Sequence, residues 1–110
     1  MAKSKIDLDI QLTSCEHWGR KSDVNLPPNK TYRLMINYPF SKAFLYKFKT
    51  GKTGMGIGAL LGKIYECYVK QYKAAETDSE QNYWHIIEDL AIEGIEIDHK
   101  NNTIYLSMGS

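Results

Sequence analysis

Hydrophobic and polar residues alternate through IDLDIQLT, where Ile6, Leu8, Ile10 and Leu12 are separated by Asp7, Asp9, Gln11 and Thr13. An extended chain turns successive side chains to opposite faces, so this period of two predicts a half-buried strand. TYRLMINY, residues 31–38, repeats the pattern with Tyr32, Leu34 and Ile36, and AFLYKFK, residues 43–49, repeats it with Phe44, Tyr46 and Phe48. Pro39 breaks the run between them, which predicts a hairpin with a short turn ending near Lys42. Over residues 53–73 the period lengthens. Ile57, Leu60, Leu61, Ile64, Tyr65, Tyr68, Val69 and Tyr72 recur at three and four, the stripe of an amphipathic helix. Asp78 or Ser79 could start a second helix running to about Glu93, with Gly94 suited to the position just past its end. Residues 95–98 and 103–108 flank HKNN and predict a closing hairpin.

The resulting order, βββααββ, predicts one α+β domain over residues 1–110, an antiparallel sheet of about five strands with two helices packed on one face. A chain of 110 residues supports one hydrophobic core but not a catalytic cleft between two domains. Hydrophobic residues make up 43% and there are eight tyrosines, so the chain has enough large apolar side chains to fold. No apolar run approaches the roughly 18 residues of a membrane span, and MAKSKIDLDI lacks a signal-type apolar core, so a cytoplasmic protein is expected. Cys15 and Cys67 form no CxxC and no metal-type pair, which fits reduced thiols.

TGKTGMGIGALLG, residues 50–62, has the look of a phosphate-binding loop. The Walker-type loop needs a glycine five residues before its Gly-Lys-Thr, so that the intervening amides can curl around phosphate. Counting back from Gly51, Lys52 and Thr53, that position is Tyr46, within a predicted strand. Gly54, Gly56 and Ala59 do match the dinucleotide pattern. A second parallel strand should then follow the helix and end in a ribose-binding acid, but AAETDSEQ follows instead, with Glu76 and Asp78 on the wrong kind of element. The glycines are therefore expected to allow a tight strand-to-helix turn, and no cofactor is expected.

Cys15, Glu16 and His17 adjoin, but Cys67, His85 and His99 would have to complete a zinc set from afar. His85, Glu88 and Asp89 share the polar arc of the expected second helix and read as a solvated face. Tyr65, Tyr68 and Tyr72 lie on the same arc as Leu61 and Ile64 and read as core. The surface candidates that remain are two. The long polar run over residues 14–30 holds His17, Trp18, Arg20 and Lys21, and tryptophan and arginine are the residue types that most often anchor protein interfaces. Lys52, Lys63 and Lys70 fall within a narrow angle opposite the apolar stripe and, with Lys49, are candidates for anion contact.

Charge is segregated along the chain: residues 1–75 carry 13 Lys/Arg and 5 Asp/Glu, residues 76–110 carry 1 and 8, and the net is +1. Such a split is settled within the fold, by self-association, or by a partner. With no nucleophile, base and orienting group legible by spacing, an enzyme is not expected. The sequence points to a small non-enzymatic binding or regulatory module acting by protein contact or self-association. The alternative is a nucleic-acid-associated protein using a basic helix face.

Overall fold

A computed structural model describes residues 3–17, 25–40, 43–77 and 85–109. Among these residues seven strands and one long helix follow in the order β1 (Lys3–Gln11), β2 (Asn25–Leu26), β3 (Thr31–Ile36), β4 (Phe44–Lys49), β5 (Met55–Gly56), α1 (Ile57–Thr77), β6 (Ala91–Asp98) and β7 (Thr103–Gly109), with 3-10 segments at Leu12–His17 and Ile87–Asp89. Five strands form one sheet in the order β1-β6-β7-β3-β4, while β2 and β5 make a separate two-stranded ribbon. The domain is α+β, but the sheet is mixed. β3 runs parallel to β7, with Leu34 beside Ile104, and every other pairing in the sheet is antiparallel.

The alternating strands behave as their patterns require. Even-numbered residues of β3 are buried and odd-numbered ones outward, and β1 alternates through its whole length. The helix lays Leu60, Leu61, Ile64, Cys67 and Tyr68 onto this inner face, where they meet Leu34, Ile36, Ile95, Ile97 and Ile104 in a single core. Each large side chain fully buried here contributes about 1.5–3 kcal/mol relative to exposure. Tyr68 is one of the core tyrosines, and its hydroxyl donates to the Tyr38 carbonyl at 2.9 Å. Tyr72 donates to the His85 carbonyl at 2.7 Å, and Phe40 stands edge-on to Tyr72 at 4.9 Å between ring centroids. The helix C-terminal half is thereby tied to the β3–β4 connection and to the approach to β6.

The second helix expected up to Glu93 is not found where it can be judged. Residues 78–84 lie outside the described residues, and from residue 85 onward there is only the 3-10 segment before β6 begins at Ala91. The cause is a β-bulge. Ile92 pairs with Met108 but Gly94 pairs with Ser107, so Glu93 is an extra residue in the strand. Leu90 and Ile92 on one side of it, and Ile95 and Ile97 on the other, all face the core. One inserted residue turns period-two alternation into spacings of two, three and two, which resemble helical periodicity. The arc of His85, Glu88 and Asp89 is therefore not a helix face.

Candidate anion-binding face of the sheet

The glycine stretch is a structural clasp. Thr50 is buried, with its hydroxyl donating to the Pro27 carbonyl at 2.6 Å and accepting from the Lys30 amide at 2.9 Å. The Gly51 carbonyl accepts from the amides of Asn29 and Gly54, both at 3.1 Å. Gly54 has φ +82°, and a Cβ there would fall against the backbone carbonyl of Leu26. These contacts hold the β2–β5 ribbon against the turn at residues 27–30, so α1 starts at Ile57 rather than at Thr53. Lys52 is accordingly an exposed turn residue and not part of a helix face.

The anticipated basic helix face is further weakened on α1 itself. Glu66 lies 3.6 Å from both Lys63 and Lys70, one helical turn to either side, and offsets one of their two charges. Lys49 belongs to another surface. It ends β4, an edge strand, on the sheet face that α1 does not cover.

That uncovered face is divided. On the β1–β6 side, Lys3 and Lys5 stand among Asp7, Asp9, Glu93 and Glu96, and Lys3 approaches Glu96 at 3.9 Å. On the β3–β4 side, Arg33 pairs directly with Lys47, Thr31 pairs with Lys49, and neither strand contains an acidic residue. Directly opposed residues have Cβ atoms about 5 Å apart, and like charges in such pairs destabilise a sheet. Arg33, Lys47 and Lys49 are all exposed, and among the described residues none has a carboxylate partner. Exposed Lys30, Lys52 and Lys100 lie in the turns that border this corner.

A cleft of about 210 Å³ opens there, lined by Thr31, Arg33, Lys47, Asn101 and Asn102. The two asparagines come from the β6–β7 turn, which Asp98 organises. One Asp98 oxygen accepts from the amides of Lys100 (3.1 Å) and Asn101 (3.2 Å), and the other accepts from the Asn101 side chain (2.9 Å). These bonds, the Asn101 side chain foremost, hold the Asp98 carboxyl below the usual carboxylate range. Asn102 adopts the left-handed conformation, φ +50°, which asparagine tolerates better than most residues. Its carbonyl accepts the Arg33 amide at 2.8 Å, and the Arg33 guanidinium donates to the Asn101 carbonyl at 3.3 Å. One turn thus engages both the backbone and the head group of Arg33.

Of the residues anticipated from sequence, Lys49 and Lys52 share this corner while Lys63 and Lys70 are on the helix. Trp18, Arg20 and Lys21 lie outside the described residues, as does the side chain of His17, whose backbone ends the first 3-10 segment. Arg33, Lys47, Thr31, Asn101 and Asn102 were missed. Strand alternation in the predicted β3–β4 hairpin could have placed Arg33, Lys47 and Lys49 on one face, but nothing local announces the β3–β7 pairing that brings the asparagines alongside. Among the described residues no three His, Cys, Asp or Glu side chains gather in a way that could hold a metal ion, and no helix is long and apolar enough to cross a membrane. Cys67 is a free, buried thiol, pushed above its ordinary pKa by that burial.

The fold and this corner define a small α+β domain in which, among the described residues, α1 covers one sheet face and leaves the other open, strongly basic at one end. No protein-family model, curated protein or solved structure matches the chain.

Proposed function

We propose that the protein is a non-enzymatic binding module that engages a polyanion, a nucleic-acid strand, through the basic end of its open sheet face. The observation that carries this is the direct cross-strand pairing of Arg33 with Lys47, flanked by Lys49, with no carboxylate on either strand. Like charges so placed cost stability unless an anion lies between them, and a phosphate backbone supplies anions at regular spacing. The face is a sheet rather than a helix, so a strand can lie across it with Tyr105, 42% exposed, on the adjacent β7 as a surface for base stacking. Contact with a protein through His17, Trp18, Arg20 and Lys21 remains the reading that the sequence alone supports.

The test is fluorescence-anisotropy titration of labelled oligothymidylate at several salt concentrations. Three engaged cations give a log–log slope of about −2 for a single strand. Replacing Lys47 and Lys49 together by Gln should make that slope shallower by about 1.4. An unchanged slope in the double variant, or no saturable binding by the parent protein at low salt, refutes the proposal.

A further inference from the structure

The geometry points to the cleft between Arg33, Lys47 and the Asn101–Asn102 turn as a discrete site for a single phosphoryl group, one phosphodiester of the bound strand. This rests on the polyanion reading and adds to it that one phosphate is gripped, while the others meet exposed surface lysines.

Three features separate the cleft from an ordinary basic patch. Its lining supplies donors without a competing carboxylate: the guanidinium of Arg33, the ammonium of Lys47, the hydroxyl of Thr31 and the amide of Asn102. Asp98, which opens the β6–β7 turn, has both oxygens occupied by the turn itself. The Arg33 head group is also preorganised. One of its N–H groups is held by the Asn101 carbonyl, so less side-chain entropy is lost when the remaining donors close on an oxyanion. The volume, about 210 Å³, falls below the roughly 300–1,000 Å³ of pockets that enclose whole organic ligands and suits one tetrahedral oxyanion with its waters. The charges continue past the cleft to Lys49 at the end of β4 and to Lys30 and Lys52 in the bordering turns, so the gripped phosphate is one of a row and not a free ion.

The experiment uses inorganic phosphate as probe, at ionic strength matched with sodium chloride, and follows amide and guanidinium NMR signals of the full chain. Saturable shifts confined to Arg33, Lys47, Asn101 and Asn102 are expected, together with competition between phosphate and oligothymidylate. Asn102→Gly keeps the left-handed backbone and removes only the side-chain amide, and should weaken phosphate about fivefold. Arg33→Lys keeps the charge and loses the planar fork, and should weaken it about tenfold. Lys49→Gln, outside the cleft, should reduce the oligothymidylate slope yet leave phosphate affinity within about twofold. Thermal melting of each variant establishes that it is folded. Shifts spread evenly over the lysines, or Lys49→Gln weakening phosphate as much as Asn102→Gly, would overturn the discrete site while leaving polyanion binding intact. Loss of the salt-dependent slope is what removes the underlying reading.

Discussion

Gly54→Ala separates a structural glycine stretch from a nucleotide-binding one. The position has φ +82°, and an added Cβ would overlap the carbonyl oxygen of Leu26. Both clashing groups are anchored in backbone, so no side-chain rotation relieves the contact. Holding alanine in the left-handed region costs about 1–2 kcal/mol. Relieving the overlap also means separating the ribbon in which Leu26 pairs with Met55, and each backbone bond lost there costs about 0.5–1.5 kcal/mol. Leu26 itself is 2% exposed and belongs to the core, so the ribbon cannot drift outward without loosening it.

The sum is about 2–4 kcal/mol, which for a domain of this size lowers the melting temperature by about 10–20 °C. Far-UV circular dichroism on heating, with urea unfolding as a second measure, reads the loss. Gly51→Ala is the internal control, because a Cβ there meets nothing within 4 Å and the backbone needs no positive φ. It should stay within about 0.5 kcal/mol of the parent. A Gly54→Ala protein that melts within about 2 °C of the parent would refute the clasp and reopen the case for a ligand at this turn.

Tyr68→Phe removes the donor to the Tyr38 carbonyl at a fully buried position and should cost about 1–2 kcal/mol, read by urea unfolding. Cys67, buried on α1 with its thiol pKa raised, should react with a thiol reagent in the native protein only as fast as the chain opens, so peptide mapping before and after denaturation should show protection. Trp18→Ala should weaken capture of a protein partner with little change in melting if the segment makes contact, whereas a large loss of thermal stability would assign the ring to the core. Asp98 has a carboxyl pKa below its ordinary value, so its contribution to the β6–β7 turn is present above that ordinary value and disappears as pH falls through the depressed one. The amide signals of Lys100 and Asn101 should therefore hold steady at neutral pH and shift only on acidification past the usual carboxylate range.

How far the sequence could be read depended on whether a feature is local. β3 and β4 are legible because Tyr32, Leu34 and Ile36, then Phe44, Tyr46 and Phe48, alternate without interruption. The helix is legible because Leu60, Leu61, Ile64 and Tyr68 keep helical spacing, although its start was displaced by the Gly51–Gly54 turn. The closing hairpin was legible from Ile95 onward, but the first half of β6 was not, because the Glu93 bulge disguised its period. The parallel β3–β7 pairing leaves no trace in either strand, since Leu34 and Ile104 are ordinary core residues whichever way their strands run. The basic corner inherits the second difficulty. Its cations sit on a readable hairpin, while the Asn101–Asn102 wall arrives only through the unreadable pairing.

The charge split along the chain takes on a different meaning once the strands are placed. The acids of β6 do not stand apart from the basic N-terminal part of the chain, because β6 and β7 insert between β1 and β3 in the sheet. Glu96 meets Lys3 across the β1–β6 ladder, and on the helix Glu66 answers Lys63 and Lys70. These contacts involve one acid beside β1 and one on α1. They do not reach β3 and β4, where Asp98, the nearest β6 acid to Arg33, has been drawn into its own turn. A chain of net charge +1 therefore keeps a local concentration of cations at one corner of one face. Screening over about 8 Å at physiological salt confines that field to ligands already close to the sheet, so attraction alone does not account for recognition there. Under the proposed function, specificity would come from contact geometry, and the Arg33 head group, which donates to the Asn101 carbonyl, is where the corner offers it.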